Sequence, residues 1–385
     1  MKPKIRVGIL FGGQSAEHEV SLQSAKNVIE ALDKEKYEPI LLGIDKQGKW
    51  HLQQQSEFLL NANNPKLIAL NKTATNVSLT PWRTESNIQV QGNGGSQGGV
   101  DVIFPVLHGP LGEDGTVQGL LKLAHVPFVG AGVLGSAIGM DKDVMKRLLS
   151  AASILVARFI VLTSLHVQKK KSKNKNPRKF SVGKNCDGIE FEEITRLLGL
   201  PFFVKPANLG SSVGVSKVHL KDEFQKAIDE AFSFDTKILI EEFVEGRELE
   251  CAVLGNEKPI ASLAGEIVPT HEFYSYDAKY IDENGAKLLI PADIPERVLK
   301  RLQDLAVHAF KTLCCEGMAR VDFFLSKDGK LYVNEINTIP GFTKISMYPK
   351  LWEASGVSYS ELIDRLIQLA IERFEKEKNL KTNVF

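Results

Sequence analysis

Apolar residues along the chain fall into bursts of two kinds. Residues 4–11 (KIRVGILF), 37–44 (YEPILLGI) and 100–107 (VDVIFPVL) are compact apolar runs, which predicts buried strands. Residues 20–32 and 116–123 repeat their apolar positions at helical spacing instead. Strand, helix and strand in alternation predict an α/β unit around a parallel sheet. Ligands of such sheets bind outside the carboxyl ends of the strands, and the polar loops 12–19 and 108–115 leave two strands at that end. Residues 90–99 (VQGNGGSQGG) read as a surface loop.

Beyond residue 140 the rhythm changes. Residues 141–151 are helical, and from 201 the pattern is strand, Gly/Ser loop, strand. A helix at 223–231 is followed by strands at 237–244 and 248–254. A helix at 295–313, two alternating runs at 319–325 and 331–337, and an amphipathic helix at 359–377 complete the chain, with no internal repeat.

At 385 residues the chain has room for two or three domains. Its 43% hydrophobic and 25% charged residues are those of a folded globular protein rather than a disordered one. No apolar run is long enough to span a membrane, and the apolar stretch after the basic start is too short for a signal peptide. Cys186, Cys251, Cys314 and Cys315 make neither a disulfide framework nor a spaced zinc site. They read as reduced thiols in a cytoplasm, with Cys314 and Cys315 as packing residues. The net charge of +1 hides a basic segment, residues 168–185, with eight Lys or Arg and no acid, so the rest is mildly acidic. That run reads as a solvated loop, with a membrane-surface or nucleic-acid contact as the competing reading.

Four stretches carry candidate chemistry. In the first, Asp328-Gly329 between alternating runs predicts a hairpin. With those two as the turn residues, Asp322 falls opposite Glu335 and Arg320 opposite Asn337, all on one face. Opposed carboxylates repel unless a cation lies between them, and Asp, Glu and Asn offer oxygen ligands suited to magnesium. An exposed hairpin with solvated charges is the competing reading. In the second, Lys205 precedes a Gly/Ser loop whose small residues let backbone N–H groups approach phosphate. Neither this loop nor residues 8–13 has the spacing of a P-loop or dinucleotide fingerprint. In the third, the apolar strand running into Glu241-Glu242-Phe243-Val244 and on to Glu248 offers acids to an adenine edge and ribose hydroxyls, or is an ordinary strand end. In the fourth, residues 273–280 (FYSYDAKY) read as a loop folding over a ligand, or as an aromatic cluster beneath a loop.

Taken together the motifs resemble the D-alanine–D-alanine ligase family of the ATP-grasp superfamily. They are GGQSAEHEVS (12–21), HGPLGEDG (108–115), MDKDVMK (140–146), VKPANLGSSVGVSKV (204–218), IEEFVEGRELECAVLG (240–255), FYSYDAKY (273–280), GMARVDFF (317–324) and NEINTIPGFTKISMYP (334–349). Any one is weak, but eight in order are specific and cover nearly the whole chain. The implied fold is α/β, α+β overall. A Rossmann-like parallel-sheet domain (1–139) is followed by a two-part ATP-grasp fold (140–241 and 242–385).

The resemblance implies ATP-dependent joining of two D-alanines through an acyl phosphate, for peptidoglycan precursors, with two Mg2+ or alternatively Mn2+. Glu17 matches the acid that holds the first ammonium, and Ser211 and Tyr280 complete its hydrogen-bonded triad. Arg320 and the Gly341 N–H match the oxyanion donors, and Asp322, Glu335 and Asn337 the metal ligands. Lys142, Lys205, Ser212, Phe273 and Lys279 match contacts to ATP, as do Glu241, Glu242, Phe243, Val244 and Glu248. Ser346 and Met347 match the second substrate's site, and His108 and Glu113 line the substrate loop or brace it. In the family a tyrosine at the position of Tyr280 accompanies D-alanine rather than D-lactate as acceptor. A cytoplasmic homodimer is implied, without nucleic acid or a membrane span. Two stretches depart from the family pattern: the basic insertion, and residues 156–159 (VARF), where a proline is common. Outside catalysis, the competing readings are a nucleotide sensor and an interaction protein built around the basic loop.

Overall fold

The computed structural model describes residues 3–54, 58–62, 64, 67–71, 76–79, 88–91, 99–163, 190–269 and 286–381. The first sheet has six strands: β1 (Ile5–Gly12), β2 (Tyr37–Ile44), β3 (Trp50–Gln53), β6 (Asn76–Leu79), β7 (Ile88–Gln91) and β8 (Val102–Val106). Their order is β7-β6-β3-β2-β1-β8. β1 pairs in parallel with β2 and β8, as the alternating pattern predicts. Beyond β2 the sheet turns antiparallel, which the pattern does not predict, because the short strands β3, β6 and β7 return without an intervening helix. A two-stranded ribbon, β4 (Leu59–Leu60) with β5 (Ala69–Leu70), lies in the same part of the chain. The glycine-rich loop expected at 90–99 starts later, since Val90 and Gln91 close β7, and residues 92–98 lie outside the described set.

Helix α1 (His18–Ala31) follows β1 and buries Val20, Leu22, Ala25, Val28 and Ile29. α2 (Thr116–Leu123), α3 (Val133–Met140) and α4 (Lys142–Ala151) follow β8. Asp141 caps α4, accepting from the backbone of Asp143 and Val144.

The second sheet is antiparallel, β11-β10-β12-β9, from β9 (Phe159–Thr163), β10 (Phe202–Pro206), β11 (Ser216–Val218) and β12 (Lys237–Glu242). α5 (Phe191–Leu198) and α6 (Lys221–Phe234) share one core with it, around Ile194, Phe202, Val204, Ile228 and Ile240. The third sheet, also antiparallel, is β15-β14-β13-β16-β17, from β13 (Gly246–Gly255), β14 (Ile260–Pro269), β15 (Ala286–Leu289), β16 (Gly317–Ser326) and β17 (Leu331–Asn337). One face packs on α7 (Glu296–Thr312) through Leu249, Cys251, Val253, Phe310 and Val321.

The largest core joins the first and third sheets. Val7, Ile9 and Phe104 share it with Ala252, Met318 and Phe342, and with α8 (Met347–Ala354) and α9 (Tyr359–Lys378). Arg373 of α9 fastens this joint, donating to the carbonyls of Phe128 at 2.8 Å and Gly130 at 2.6 Å. α8 escapes the periodicity reading because Pro349 stands inside it, in the first turn where a missing N–H costs nothing. Cys251 and Cys315 are buried, but Cys314, expected to be a packing residue, is exposed. Among the described residues no helix is long and apolar enough to cross a membrane.

Candidate active site

The β16–β17 hairpin pairs Asp322 with Glu335 and Arg320 with Asn337, the partners expected from the sequence. The route to that pairing differs. Asp328 and Gly329 are not a two-residue turn: Gly329 N donates to Ser326 O at 2.9 Å, Gly329 takes φ 76°, and Ser326 N donates to Lys330 O. Three residues, Lys327 to Gly329, therefore form the loop, and near it Leu325 faces Leu331 and Phe323 faces Val333. A β-bulge then shifts the register between Asp322 and Phe323, against Asn334 on β17. The reason is burial. Leu331, Val333 and Ile336 all join the α7 core, and their spacing fits one face only if an extra residue lies between Val333 and Ile336.

Arg320 forms a fork with Asp322, Nε to Oδ1 and Nη2 to Oδ2, both at 2.7 Å. Its Nε also lies 2.8 Å from Glu250 Oε2 on β13. Burial alone would lower the Arg320 pKa, but Asp322 and Glu250 outweigh it and hold the guanidinium charged. Asn337 Nδ2 donates to Asp322 Oδ2 at 3.1 Å, and Lys142 Nζ lies 3.7 Å from Glu335 Oε2.

Glu17 ends the loop after β1 at the N-terminus of α1, where the helix dipole favours a carboxylate. Ser211 reaches it from the second sheet, its Oγ donating to Glu17 Oε1. Ser211 and Ser212 sit at φ 53° and 59°, the left-handed region, so this turn brings their backbone in close. Gly109 takes φ 76°, the left-handed region that favours glycine, and a Cβ there would also lie 2.8 Å from Glu17 Oε2. Gly109 N donates to Glu113 Oε2 at 2.8 Å. Burial first, and then the charge of Glu17, push the Glu113 carboxyl up to about 8.

His108 is a brace. Its Nδ1 donates to Ile339 O at 3.1 Å, which leaves Nε2 to accept from Ser24 Oγ at 3.3 Å. Ser24 Oγ in turn accepts from Phe342 N. Burial lowers the His108 pKa and keeps the ring neutral, as this chain of donors requires. The braced loop holds Gly341, where a Cβ would meet Ser346 Oγ at 2.7 Å. Ser346 Oγ also accepts from Thr343 N at 2.9 Å, and Met347 opens α8.

The nucleotide candidates lie where the second sheet meets α4. Lys205 Nζ donates to Glu241 Oε1 at 2.7 Å, and Lys146 Nζ lies 2.7 Å from Glu241 Oε2. Lys146, absent from the sequence-derived site, is 0% exposed. Its spacing from Lys142, one helical turn, was the available signal. Burial raises Glu241, but the two ammoniums outweigh it and hold its pKa below the ordinary value. Lys142 Nζ donates to Leu209 O at 2.7 Å. Glu242 is clasped by Arg158: its carboxylate accepts from the Arg158 N–H at 2.7 Å and from its Nε, and its own N–H donates to Arg158 O at 3.0 Å. This clasp also accounts for the departure at 156–159. The strand expected over 237–244 stops at Glu242, leaving Phe243 and Val244 beyond it. Phe243 is exposed beneath Lys217, whose Nζ stands 4.6 Å from the ring centroid.

A cavity of about 160 Å³ collects most of the set. Glu17, Ser211, Arg320, Glu335 and Gly341 line it, as do His108, Glu113, Glu248, Asp322, Asn337, Ser346 and Met347. So does Glu250, which the sequence reading missed although it follows Glu248 at strand spacing. Lys142, Lys205, Ser212 and the 241–244 segment are not among its walls. Phe273, Lys279, Tyr280, the lid expected over 273–285 and the insertion 168–185 lie outside the described residues. Among the described residues no three His, Cys, Asp or Glu side chains form a group able to hold a metal alone. The donor chemistry of Asp322, Glu335 and Asn337, two carboxylates and an amide, fits a cation that takes its remaining oxygens from water and phosphate.

The family model described as D-ala D-ala ligase N-terminus matches residues 6–131, and that described as D-ala D-ala ligase C-terminus matches residues 148–368. The D-alanine–D-alanine ligase of Shouchella clausii (strain KSM-K16) is 57% identical over 382 residues, 99% of each chain. The solved D-alanine–D-alanine ligase of Coxiella burnetii superposes with a TM-score of 0.80 at 38% identity, covering 97% of this chain and 96% of that one. The VanG D-Ala:D-Ser ligase of Enterococcus faecalis gives 0.79 at 35% identity, covering 96% of this chain and all of that one. This chain belongs to the D-alanine–D-alanine ligase family.

Proposed function

We propose that the protein joins two D-alanines at the expense of ATP, giving D-alanyl-D-alanine, ADP and phosphate for peptidoglycan precursors. The observation that carries this reading is the meeting, in one cavity, of Glu17 and Ser211 with Arg320 and the Asp322, Glu335 and Asn337 hairpin. The γ-phosphoryl group passes to the carboxylate of the first D-alanine, forming an acyl phosphate. The amine of the second attacks the carbonyl carbon, and the tetrahedral intermediate expels phosphate.

Glu17, held by Ser211, receives the first ammonium. Arg320 and the Gly341 N–H donate to the oxyanion that develops on the attacked carboxyl, the electrostatic contribution that usually dominates such steps. Ser346 and the start of α8 receive the second carboxylate, with Met347 packed beside it. Lys142 and Lys205 neutralise ATP phosphates, with Ser212 and the loop around it approaching them by backbone. The 241–244 segment and Glu248 receive adenine and ribose, while the Glu241 carboxylate stays held between Lys205 and Lys146. Phe273, Lys279 and Tyr280 complete the nucleotide site and the triad. Asp322, Glu335 and Asn337 would hold two magnesium ions, or manganese, which when bound neutralise phosphate charge. We assign units 1–139, 140–241 and 242–385, a homodimer and a cytoplasmic location on the family resemblance.

The fold alone does not choose the acceptor, since the VanG D-Ala:D-Ser ligase of Enterococcus faecalis shares it. The test is phosphate release with ATP, magnesium and D-alanine, L-alanine, or D-alanine with D-serine or D-lactate, with products identified by mass. Dipeptide from D-alanine alone supports the reading. A main product carrying D-serine or D-lactate moves the acceptor, and ATP binding without turnover revives the sensor reading.

A further inference from the structure

The third sheet carries three acids in one cross-strand row. Glu250 on β13 faces Asp322 on β16, which faces Glu335 on β17. The neighbouring row is Ala252, Arg320 and Asn337. Arg320 reaches from its own row into the acidic one and stands between two carboxylates, with Nε 2.7 Å from Asp322 Oδ1 and 2.8 Å from Glu250 Oε2. Ala252 leaves room for that reach, because its side chain ends at Cβ. Glu250 is 5% exposed and lines the cavity, while Leu249 and Cys251 on either side of it enter the α7 core. A carboxylate buried there is costly unless paired, and Arg320 is the cation that pairs it.

Asp322 serves two masters. Both its oxygens accept from the Arg320 fork, and the same carboxylate belongs to the cation-holding trio. A divalent cation between Asp322 and Glu335 brings a like charge up to the guanidinium and weakens its hold on Asp322. Glu250 stands on the other flank, a full strand further from Glu335. We propose that Glu250 is a positioning residue. It anchors Arg320 through Nε when Asp322 turns to the cation, and leaves the two Nη groups to donate to the oxyanion. This role rests on the ligase reading above. Glu250 acts through Arg320 and touches neither substrate nor the reacting atoms.

Glu250→Gln keeps the shape and an acceptor for Nε but removes the charge. We expect kcat to fall about 30-fold, as for a misplaced catalytic group. KM for ATP and for D-alanine should stay within about twofold, since Arg320 is asked to act mainly in the transition state. The affinity of a phosphinate isostere of the dipeptide, a tetrahedral anion, should fall by the same factor as kcat. Calorimetric affinity for ATP with magnesium, measured without D-alanine, should be unchanged. Glu250→Asp, which keeps the charge, should recover most of kcat. In an Arg320→Lys background Glu250→Gln should add nothing, because the fork it positions is gone.

Unchanged kcat and phosphinate affinity in Glu250→Gln would overturn the proposal. So would a loss that simply multiplies with Arg320→Lys, or a fall in ATP affinity as large as the fall in kcat. Melting midpoints are read alongside. If Glu250→Gln does not fold, Glu250→Asp and its combination with Arg320→Lys carry the test. Wild-type turnover is the control: no dipeptide from wild type breaks the ligase reading, whereas an active wild type with a silent Glu250→Gln breaks this proposal alone.

Discussion

Two buried charge clusters flank the site, and they are built with opposite signs. At the nucleotide end Lys146 and Lys205 share one carboxylate, Glu241, leaving an excess of positive charge. At the hairpin end Asp322 and Glu250 share one guanidinium, Arg320, with Glu335 beside them, leaving an excess of negative charge. Lys142, one turn from Lys146 on α4, reaches Glu335 and links the two. The first excess suits a phosphate chain, the second a divalent cation. Their sealing differs as well. Lys146 and Glu241 are almost without solvent, whereas Arg320 and Asp322 keep some exposure toward the cavity. One cluster is closed to solvent, and the other stays open toward the cavity.

The sharpest test of this division pairs Arg320→Ala with Lys146→Met. We expect Arg320→Ala to cost about 10³-fold in kcat, the upper range for an oxyanion donor. Lys146→Met should raise KM for ATP about tenfold and spare kcat, because loss of Coulomb attraction for bound phosphate affects ground and transition states alike. ADP release under saturating substrates reads both, and equal kcat losses would erase the distinction. Next comes Glu241→Gln, which leaves two buried ammoniums without their counter-ion. It should cost about 3–5 kcal/mol in urea unfolding, whereas Asp322→Asn should leave stability nearly intact and abolish turnover.

A smaller effect concerns Glu113, whose carboxyl stands at about 8 rather than 4.5. The folded protein holds that proton more tightly than the unfolded chain does. Its contribution is therefore fully present below pH 4.5 and lost as pH rises through about 8. Glu113→Gln should flatten this decline, and identical stability slopes for wild type and variant from pH 5 to 8 would refute it. The smallest effect belongs to residues 170–183. Their deletion should change kcat less than about twofold, within the range of surface changes, and a large loss would favour the interaction reading of the basic segment.

Much of this arrangement was legible in the sequence because its signals are local. The strands β1, β2, β16 and β17 announce themselves by compact or alternating apolar runs. The Asp322 to Glu335 pairing is what a two-residue turn predicts, and it holds although the loop is one residue longer, because the bulge at Asn334 restores the register. Glu250 and Lys146 were missed for the opposite reason. Each looks like an ordinary charged residue until the fold brings Arg320 or Glu241 against it from a distant stretch. Glu242 shows the converse: a motif position whose side chain is claimed by Arg158, 84 residues away. Strand β14, IASLAGEIVP, lacks a clean alternation and gave no signal, because small residues serve both its faces: Gly265 lies close under α8, while Ala261 and Ala264 pack in the α7 core.

The bulge on β17 has a consequence for how this hairpin tolerates change. Asn334 is a supernumerary stitch. A chain lacking it would knit the same ladder, with Phe323 still beside Val333, Asp322 beside Glu335 and Arg320 beside Asn337. The pairs of Asp322 with Glu335 and of Arg320 with Asn337 are thus insured against loss of that residue. What the additional stitch adds is a second polar residue in succession, Asn334 next to Glu335, lining the same cavity. A regular strand, alternating up and down, cannot offer two neighbours to one side.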